Sequence, residues 1–293
     1  MGLLDQFKSL LEGKLSIENR YELLREAVSG TMSAFYMAKD KKTGEIVGLK
    51  VLDPTKTEFF ESRFKGLEKP SEGEIAVQFD HPQIVKTLSY GVTNNGEHYL
   101  MMEYLDGPGL NTLIKDRSPL LDGNRLSLIR QMVTALGEVH KQGFIHRDIC
   151  PRNFICSEDA KQLKLIDFGL TVPATKEFMQ PGNRTGTPNY MAPEVVRRRL
   201  TDQRVDLFSL GVTIYQLCAL DLPWPSQDVT GKAAMLHDTK QPVHLLEVCP
   251  KLDPKLAEII MKSISVQPGD RPQSVDEFLR VLQAVTSAEG KGG

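Results

Sequence analysis

Apolar positions along the chain recur with two different periods, and the change of period divides it. Leu3, Leu4, Phe7, Leu10, Leu11 and Leu15 fall at helical spacing, with Asp5, Lys8, Glu12 and Lys14 between them. This predicts a short amphipathic helix within an N-terminal extension spanning 1–20. Such a helix docks on a partner, lies on a membrane surface or packs back on its own domain. Its polar face mixes both signs, which argues against a membrane, and packing on its own domain is the expectation. From Tyr21 to Leu105 the pattern is mostly strand-like. Thr43-Gly44 supplies a turn between segments around Phe35–Ala38 and Ile46–Val51, consistent with a hairpin, and one helical stretch near Ser71–Phe79 interrupts the strands. After Gly107-Pro108-Gly109 the character becomes helical: Leu126, Ile129, Val133, Leu136 and His140 repeat at three and four residues. Further helices are predicted at 205–220, 254–265 and 274–285. Glu289-Gly290-Lys291-Gly292-Gly293 reads as a frayed end, within a disordered tail over 286–293. No internal repeat or low-complexity linker interrupts the pattern. A strand-rich part over 21–105 followed by a helical part over 106–285 predicts an α+β fold with a small β-rich lobe and a larger helical one.

Composition narrows the class without choosing a function. Forty per cent hydrophobic and 25% charged residues exclude disordered and fibrous chains. A formal net charge of −2 exerts no global pull on nucleic acid or anionic membrane, so any anionic ligand is held by local groups. Cys150, Cys156, Cys218 and Cys249 form no CxxC pair and no metal-ligand spacing with histidine, as expected of buried free thiols in a reducing compartment. No apolar run approaches the roughly 20 residues of a spanning helix. The N-terminus has no signal-peptide character, and Gln6 stands where a myristoylation motif takes Ser or Thr. The expectation is a soluble cytoplasmic protein without a sensor, anchor or repeat domain.

Chemistry enters with short motifs in a fixed order. His146-Arg147-Asp148 is followed by Asn153, then by Asp167-Phe168-Gly169 and by Ala192-Pro193-Glu194, while Lys50 ends the upstream run Val47-Gly48-Leu49-Lys50. Each tripeptide alone is weak, but the ordered set resembles the protein kinase family from about Tyr21 to Leu282. The resemblance implies ATP held in a cleft between the lobes, Mg²⁺ as cofactor, and protein substrates. Phosphoryl transfer asks a protein for positioning and charge stabilisation rather than covalent chemistry. By resemblance, Lys50 contacts the α- and β-phosphates and is held by Glu72, ten residues before Pro82, with Glu74 as the alternative. Asp167 and Asn153 hold the metal through hard oxygen donors, and Asp148 accepts the proton of the substrate hydroxyl. Glu194 pairs with Arg271, and Asp206 anchors the catalytic loop. Met102 is the expected gatekeeper, backbone groups of Glu103 and Leu105 meet the adenine edge, and Ile155 lies beneath the ring; core packing alone also accounts for these apolar residues.

The chain departs from the family pattern at several positions. Val28-Ser29-Gly30-Thr31-Met32-Ser33-Ala34-Phe35 keeps only Gly30 of the three glycines in GxGxxGxV. Losing two stiffens a loop whose N–H groups approach phosphate. Phe35 replaces valine and Gly48 replaces alanine, so the phenyl ring is expected to fill the room left by the missing methyl. Cys150 stands where serine/threonine kinases carry a lysine. Arg152 either supplies that charge or faces solvent, and Cys150 is open to being an exposed, oxidisable thiol. Gly186-Thr187-Pro188-Asn189-Tyr190-Met191 resembles the serine/threonine subgroup, in which the threonine reaches the catalytic aspartate. The segment from Asp167 to Glu194 offers Thr171, Thr175, Thr185 and Thr187 as hydroxyls, whereas Asn183 occupies the place of an activating phosphothreonine. Arg147 is expected to remain available to a nearby phosphate. Arg197-Arg198-Arg199 either favours acidic substrates or forms a solvated helix end. The resulting expectation is a Ser/Thr protein kinase. The alternatives are a pseudokinase scaffold with a degenerate glycine loop and, more remotely, a small-molecule kinase of related fold.

Overall fold

Local signals start most of the elements. In a computed structural model that describes residues 15–29, 33–182, 184–224 and 233–290, the chain separates into two compact units, one of 15–80 with 85–105 and one of 81–84 with the residues from 106 onward. Residues 1–14, which carry most of the expected amphipathic helix, and Gly30 and Asn183 lie outside the described residues.

The first unit is a five-stranded antiparallel sheet in the order β1-β2-β3-β5-β4, with β1 Tyr21–Ser29, β2 Ser33–Asp40, β3 Ile46–Leu52, β4 Thr87–Val92 and β5 His98–Glu103. The β2–β3 turn uses Gly44 at φ +78°, a conformation open to glycine at no steric cost. Tyr21, Ala38, Val47, Leu49 and Tyr99 form a buried cluster on one face, against which Leu15 and Ile17 also pack. Leu15 is tied by backbone bonds to Val92 and Asn94, and α1 (Ile17–Arg20) follows it, capped by Ser16. Because side chains alternate along a strand, the register places Phe35, Gly48, Lys50, Leu100 and Met102 together on the opposite face. Asp53 and Pro54 start α2 (Pro54–Glu61), the Asp accepting the Lys56 N–H and the Pro filling a first-turn position that needs no donor. α3 is short, Glu72–Ala76, and Ser71 closes a capping box with Glu74 at its N-terminus.

The second unit is helical around two small antiparallel ribbons, one pairing β6 (Phe144–Ile145) with β9 (Val172–Pro173) and one pairing β7 (Phe154–Cys156) with β8 (Leu163–Leu165). Its helices are α4 (Leu110–Lys115), α5 (Arg125–Lys141), α6 (Pro193–Val196), α7 (Arg204–Ala219), α8 (Leu245–Val248), α9 (Pro254–Ser263) and α10 (Val275–Gln283). α5 buries Ile129, Val133 and Leu136 as its periodicity requires, together with Leu128 and Met132. α7 is apolar almost all round and is accordingly buried; its one acidic residue, Asp206, is fully enclosed. The fold is α+β, with the sheet in the first unit and the helices concentrated in the second. The expected tail differs in part. Val285 and Ala288, three apart, are buried, and Gly290 lies so close to the Cys218 carbonyl that a Cβ there would come within 2.5 Å of it. Two small apolar contacts therefore carry the chain across unit two as far as Gly290, a signal too sparse to register as periodicity.

Candidate active site

In the first unit β3 and α3 bring one ion pair together. Lys50 Nζ lies 2.5 Å from Glu72 Oε1, and both side chains are buried. The choice between the two glutamates follows from the helix start. Glu74 is the third residue of α3, where its carboxylate accepts the Ser71 N–H at 2.7 Å, whereas Glu72 at the first position turns toward β3. The S-x-x-E pattern of Ser71–Glu74 is legible in the sequence as a capping box and identifies Glu74 as a capping residue. On the same sheet face, a Cβ built on Gly48 would lie 2.8 Å from Phe35 Cζ and 3.1 Å from Met102 Cγ. The phenyl ring thus occupies the room of the absent methyl. Val28 pairs with Phe35 across β1–β2. Met102 is buried, and the Glu103 carboxylate accepts the Lys86 N–H at 2.8 Å. Leu105 is half-buried at the end of the unit.

In the second unit the loop after β6 converges on one carboxylate. Asp148 Oδ1 accepts the Thr187 N–H at 2.8 Å and its hydroxyl at 2.7 Å; Oδ2 accepts Asn153 Nδ2 at 3.1 Å and Arg152 Nη2 at 3.0 Å. Asn153 Nδ2 also donates to the Asp148 carbonyl at 2.7 Å. Arg152 remains half exposed, with its guanidinium paired to Asp148. Asp206 holds the loop from below: Oδ2 accepts the His146 N–H and Oδ1 the Arg147 N–H, each at 2.8 Å, and His140 Nε2 donates to Oδ2 at 2.9 Å. Burial works to raise the Asp206 pKa, but the His140 hydrogen bond, the neighbouring histidines and the His146 N–H outweigh it and hold the carboxyl below its ordinary range. Arg147, anchored this way, has φ +68°, a strained value that the paired N–H groups sustain.

The β7–β8 ribbon sets the remaining polar groups. Phe154 pairs with Leu165, and the Ile166 N–H donates to the Asn153 carbonyl at 2.8 Å, so Asn153 and Asp167 emerge at the same end of the ribbon. Asp167 is exposed at φ +69°, its Oδ1 accepting the Gly169 N–H at 3.1 Å, while Phe168 is buried with its ring 5.3 Å from that of His146. Ile155 pairs with Lys164 and bridges to Gly109. Glu194 and Arg271 form a buried two-pronged pair, both contacts 2.7 Å.

One expectation is corrected. Cys150 is not an exposed thiol: it is buried with Sγ 3.6 Å from the Thr187 hydroxyl, and burial pushes its pKa up to about 12. Arg147 Nη2 donates to the Phe178 carbonyl at 2.6 Å, and burial draws its pKa down to about 10. Of the three consecutive arginines, Arg197 is engaged by Asp238 through two hydrogen bonds, and Arg198 and Arg199 are exposed. The link from His140 to Asp206 escaped sequence reasoning; a polar residue at the end of the α5 stripe was its only signal.

Comparison with known proteins agrees with this geometry. Residues 21–282 match the family described as the protein kinase domain. The chain is 30% identical over 282 residues to the serine/threonine-protein kinase pkn3 of Myxococcus xanthus, covering 92% of this chain and 50% of that protein. It is 32% identical to Pkn1 of the same organism, over 90% of this chain and 38% of that protein. Against PknB of Mycolicibacterium smegmatis identity is 29%, over 89% and 42% respectively. The chain belongs to the protein kinase family. It spans half or less of the length of these relatives. Among the described residues no helix is long and apolar enough to cross a membrane.

Proposed function

We propose that this chain transfers the γ-phosphoryl group of ATP to serine or threonine hydroxyls of proteins. The observation that carries the reading is the Asp148 carboxylate, oriented by Thr187, Asn153 and Arg152 at once. A carboxylate fixed in this way is placed to take the proton from an incoming hydroxyl. Arg152 brings a positive charge beside it, in the part a lysine plays in serine/threonine relatives, and Lys50, aimed by Glu72, meets the α- and β-phosphates. The resemblance assigns the nucleotide contacts to Val28, Gly30, Phe35, Gly48, Met102 and Ile155, and the adenine edge to backbone groups of Glu103 and Leu105. The threonine-containing run at 186–191, with its hydroxyl on Asp148, supports Ser/Thr over tyrosine.

The donor chemistry suits Mg²⁺. Asp167 offers an exposed carboxylate, and Asn153, whose amide hydrogens are committed to Asp148, has its side-chain oxygen as the remaining hard donor at the same end of the ribbon. When bound, the metal supplies charge neutralisation of the phosphates. Four buried free thiols suit a reducing compartment, and the cytoplasm is the proposed location.

The test is transfer of labelled γ-phosphate from Mg·ATP to a generic protein acceptor, beside Asp148→Asn. Label on Ser or Thr that disappears in the variant is the expected result. Label on tyrosine overturns the substrate class, and absence of transfer with nucleotide still bound overturns the reading.

A further inference from the structure

Glu72 reaches Lys50 from the first position of a helix only five residues long, so something beyond helix rigidity must aim it. The neighbouring residue supplies an answer. A Cβ built on Gly73 would lie 2.5 Å from Tyr90 Cγ and 2.6 Å from its Cβ and Cδ2. These atoms sit next to the Tyr90 backbone in β4, so turning the far end of the ring does not relieve the contact. The helix stands against the strand at a distance that only glycine permits. Atoms in ordinary contact are about 3.5–4.0 Å apart, so a methyl at Gly73 drives α3 and Tyr90 apart by about 1 Å or expels the ring. The capping box at Ser71 ties Gly73 and Glu72 into the same turn, so a displacement at one is passed to the other.

We propose that the contact of Gly73 with Tyr90 positions Glu72 on Lys50, making Tyr90 a positioning residue for the phosphate-binding lysine. This rests on the assignment of Lys50 to the ATP phosphates, but the contact is testable without catalysis. Lys50 is buried and paired, and it reacts slowly with an amine-acylating reagent while Glu72 stays in place.

The experiment measures Lys50 acylation by mass spectrometry on the nucleotide-free chain, with kcat and KM for ATP, in Gly73→Ala, Tyr90→Ala, Tyr90→Phe and the Gly73→Ala/Tyr90→Ala double variant. Gly73→Ala is expected to raise Lys50 labelling at least fivefold and to lower kcat/KM for ATP about tenfold or more, as small misplacements do. Tyr90→Phe retains the contacting atoms and stays within twofold of the parent in both readouts. The double variant returns to within threefold of Tyr90→Ala alone. Alanine is the better helix former, so a loss in Gly73→Ala cannot come from helix propensity. Parent-like labelling in Gly73→Ala, additive losses in the double variant, or lowered thermal stability with labelling unchanged would each overturn the proposal. If Gly73→Ala does not fold, raised labelling in Tyr90→Ala with parent-like Tyr90→Phe supports it, and unchanged labelling in Tyr90→Ala overturns it. A parent chain that transfers no phosphate overturns the proposed function alone, since the labelling arm still decides the positioning.

Discussion

Single side chains carry effects here that composition cannot express. Arg271 is enclosed, with its guanidinium spread over Glu194, three backbone carbonyls and the face of Phe208, 5.0 Å from the ring centroid. Removing one partner strands a buried charge, which costs about 3–5 kcal/mol. Arg271→Ala is therefore expected to lower the urea unfolding free energy by that order, measured at constant m-value. Gly48 and Phe35 make the reverse case, in which a residue is small because its neighbour is large. Gly48→Ala overpacks the face against Phe35 and Met102, costing about 1–3 kcal/mol of stability, and it is expected to weaken ATP binding. Phe35→Val in the same chain relieves the clash, so a double-mutant cycle should show coupling in both readouts. Purely additive losses would show that the two positions are independent. The pairing was foreseeable from the two departures in sequence, because the register Phe35↔Lys50 and Met37↔Gly48 follows from a single hairpin turn and puts Phe35 and Gly48 on one face.

At the scale of elements, the catalytic loop is fastened to α7 through Asp206. Its carboxylate takes two backbone N–H groups of a strained turn and one imidazole; an amide accepts at one end only, so at least one of these donors loses its acceptor. Asp206→Asn is expected to cut kcat at least tenfold while KM for ATP moves less, in a steady-state assay. The acid limb of stability carries the same signature. The folded-state pKa of Asp206 lies below its ordinary 3.8, so its contribution is present above that value and lost as pH falls through the folded pKa. The Asn variant should lose stability at pH 6 and show a shallower decline below pH 4 in urea titrations. Reading α7 as a helix needed only its length and apolarity. That Asp206 anchors the loop was implied by the resemblance; that His140 meets it required the packing of α5 against α7, which no periodicity specifies.

For the whole molecule, pH near neutrality acts through buried histidines. His146 and His237 are enclosed, and burial, the largest cause for each, lowers the pKa below the ordinary 6.5. The unfolded chain therefore binds more protons than the folded one between those folded values and about 6.5. Stability is complete above that window and falls as pH drops into it, by at most about 1.4 kcal/mol per pH unit for each histidine. The urea midpoint is expected to decline from pH 7 to pH 5. His237→Gln cannot take up the proton but keeps a donor for the Met191 carbonyl, and should flatten that decline. A midpoint that does not change with pH would exclude this account.

Much of this protein was determined by sequence alone. Helix starts at Asp53-Pro54 and Ser71 are local chemistry, the β2–β3 turn is a glycine choice, and the ordered motifs from Lys50 to Glu194 name the family because their spacing along the chain is itself the signal. Tertiary structure decided which groups meet. Glu72 faces Lys50 where Gly73 lets α3 approach Tyr90; Arg152 lies on Asp148; Arg147 donates to a backbone carbonyl; Cys150 is sealed beneath Thr187. These outcomes depend on distances between elements far apart in the chain. Such distances come from packing side chains at crystal-like density, which no one-dimensional pattern records.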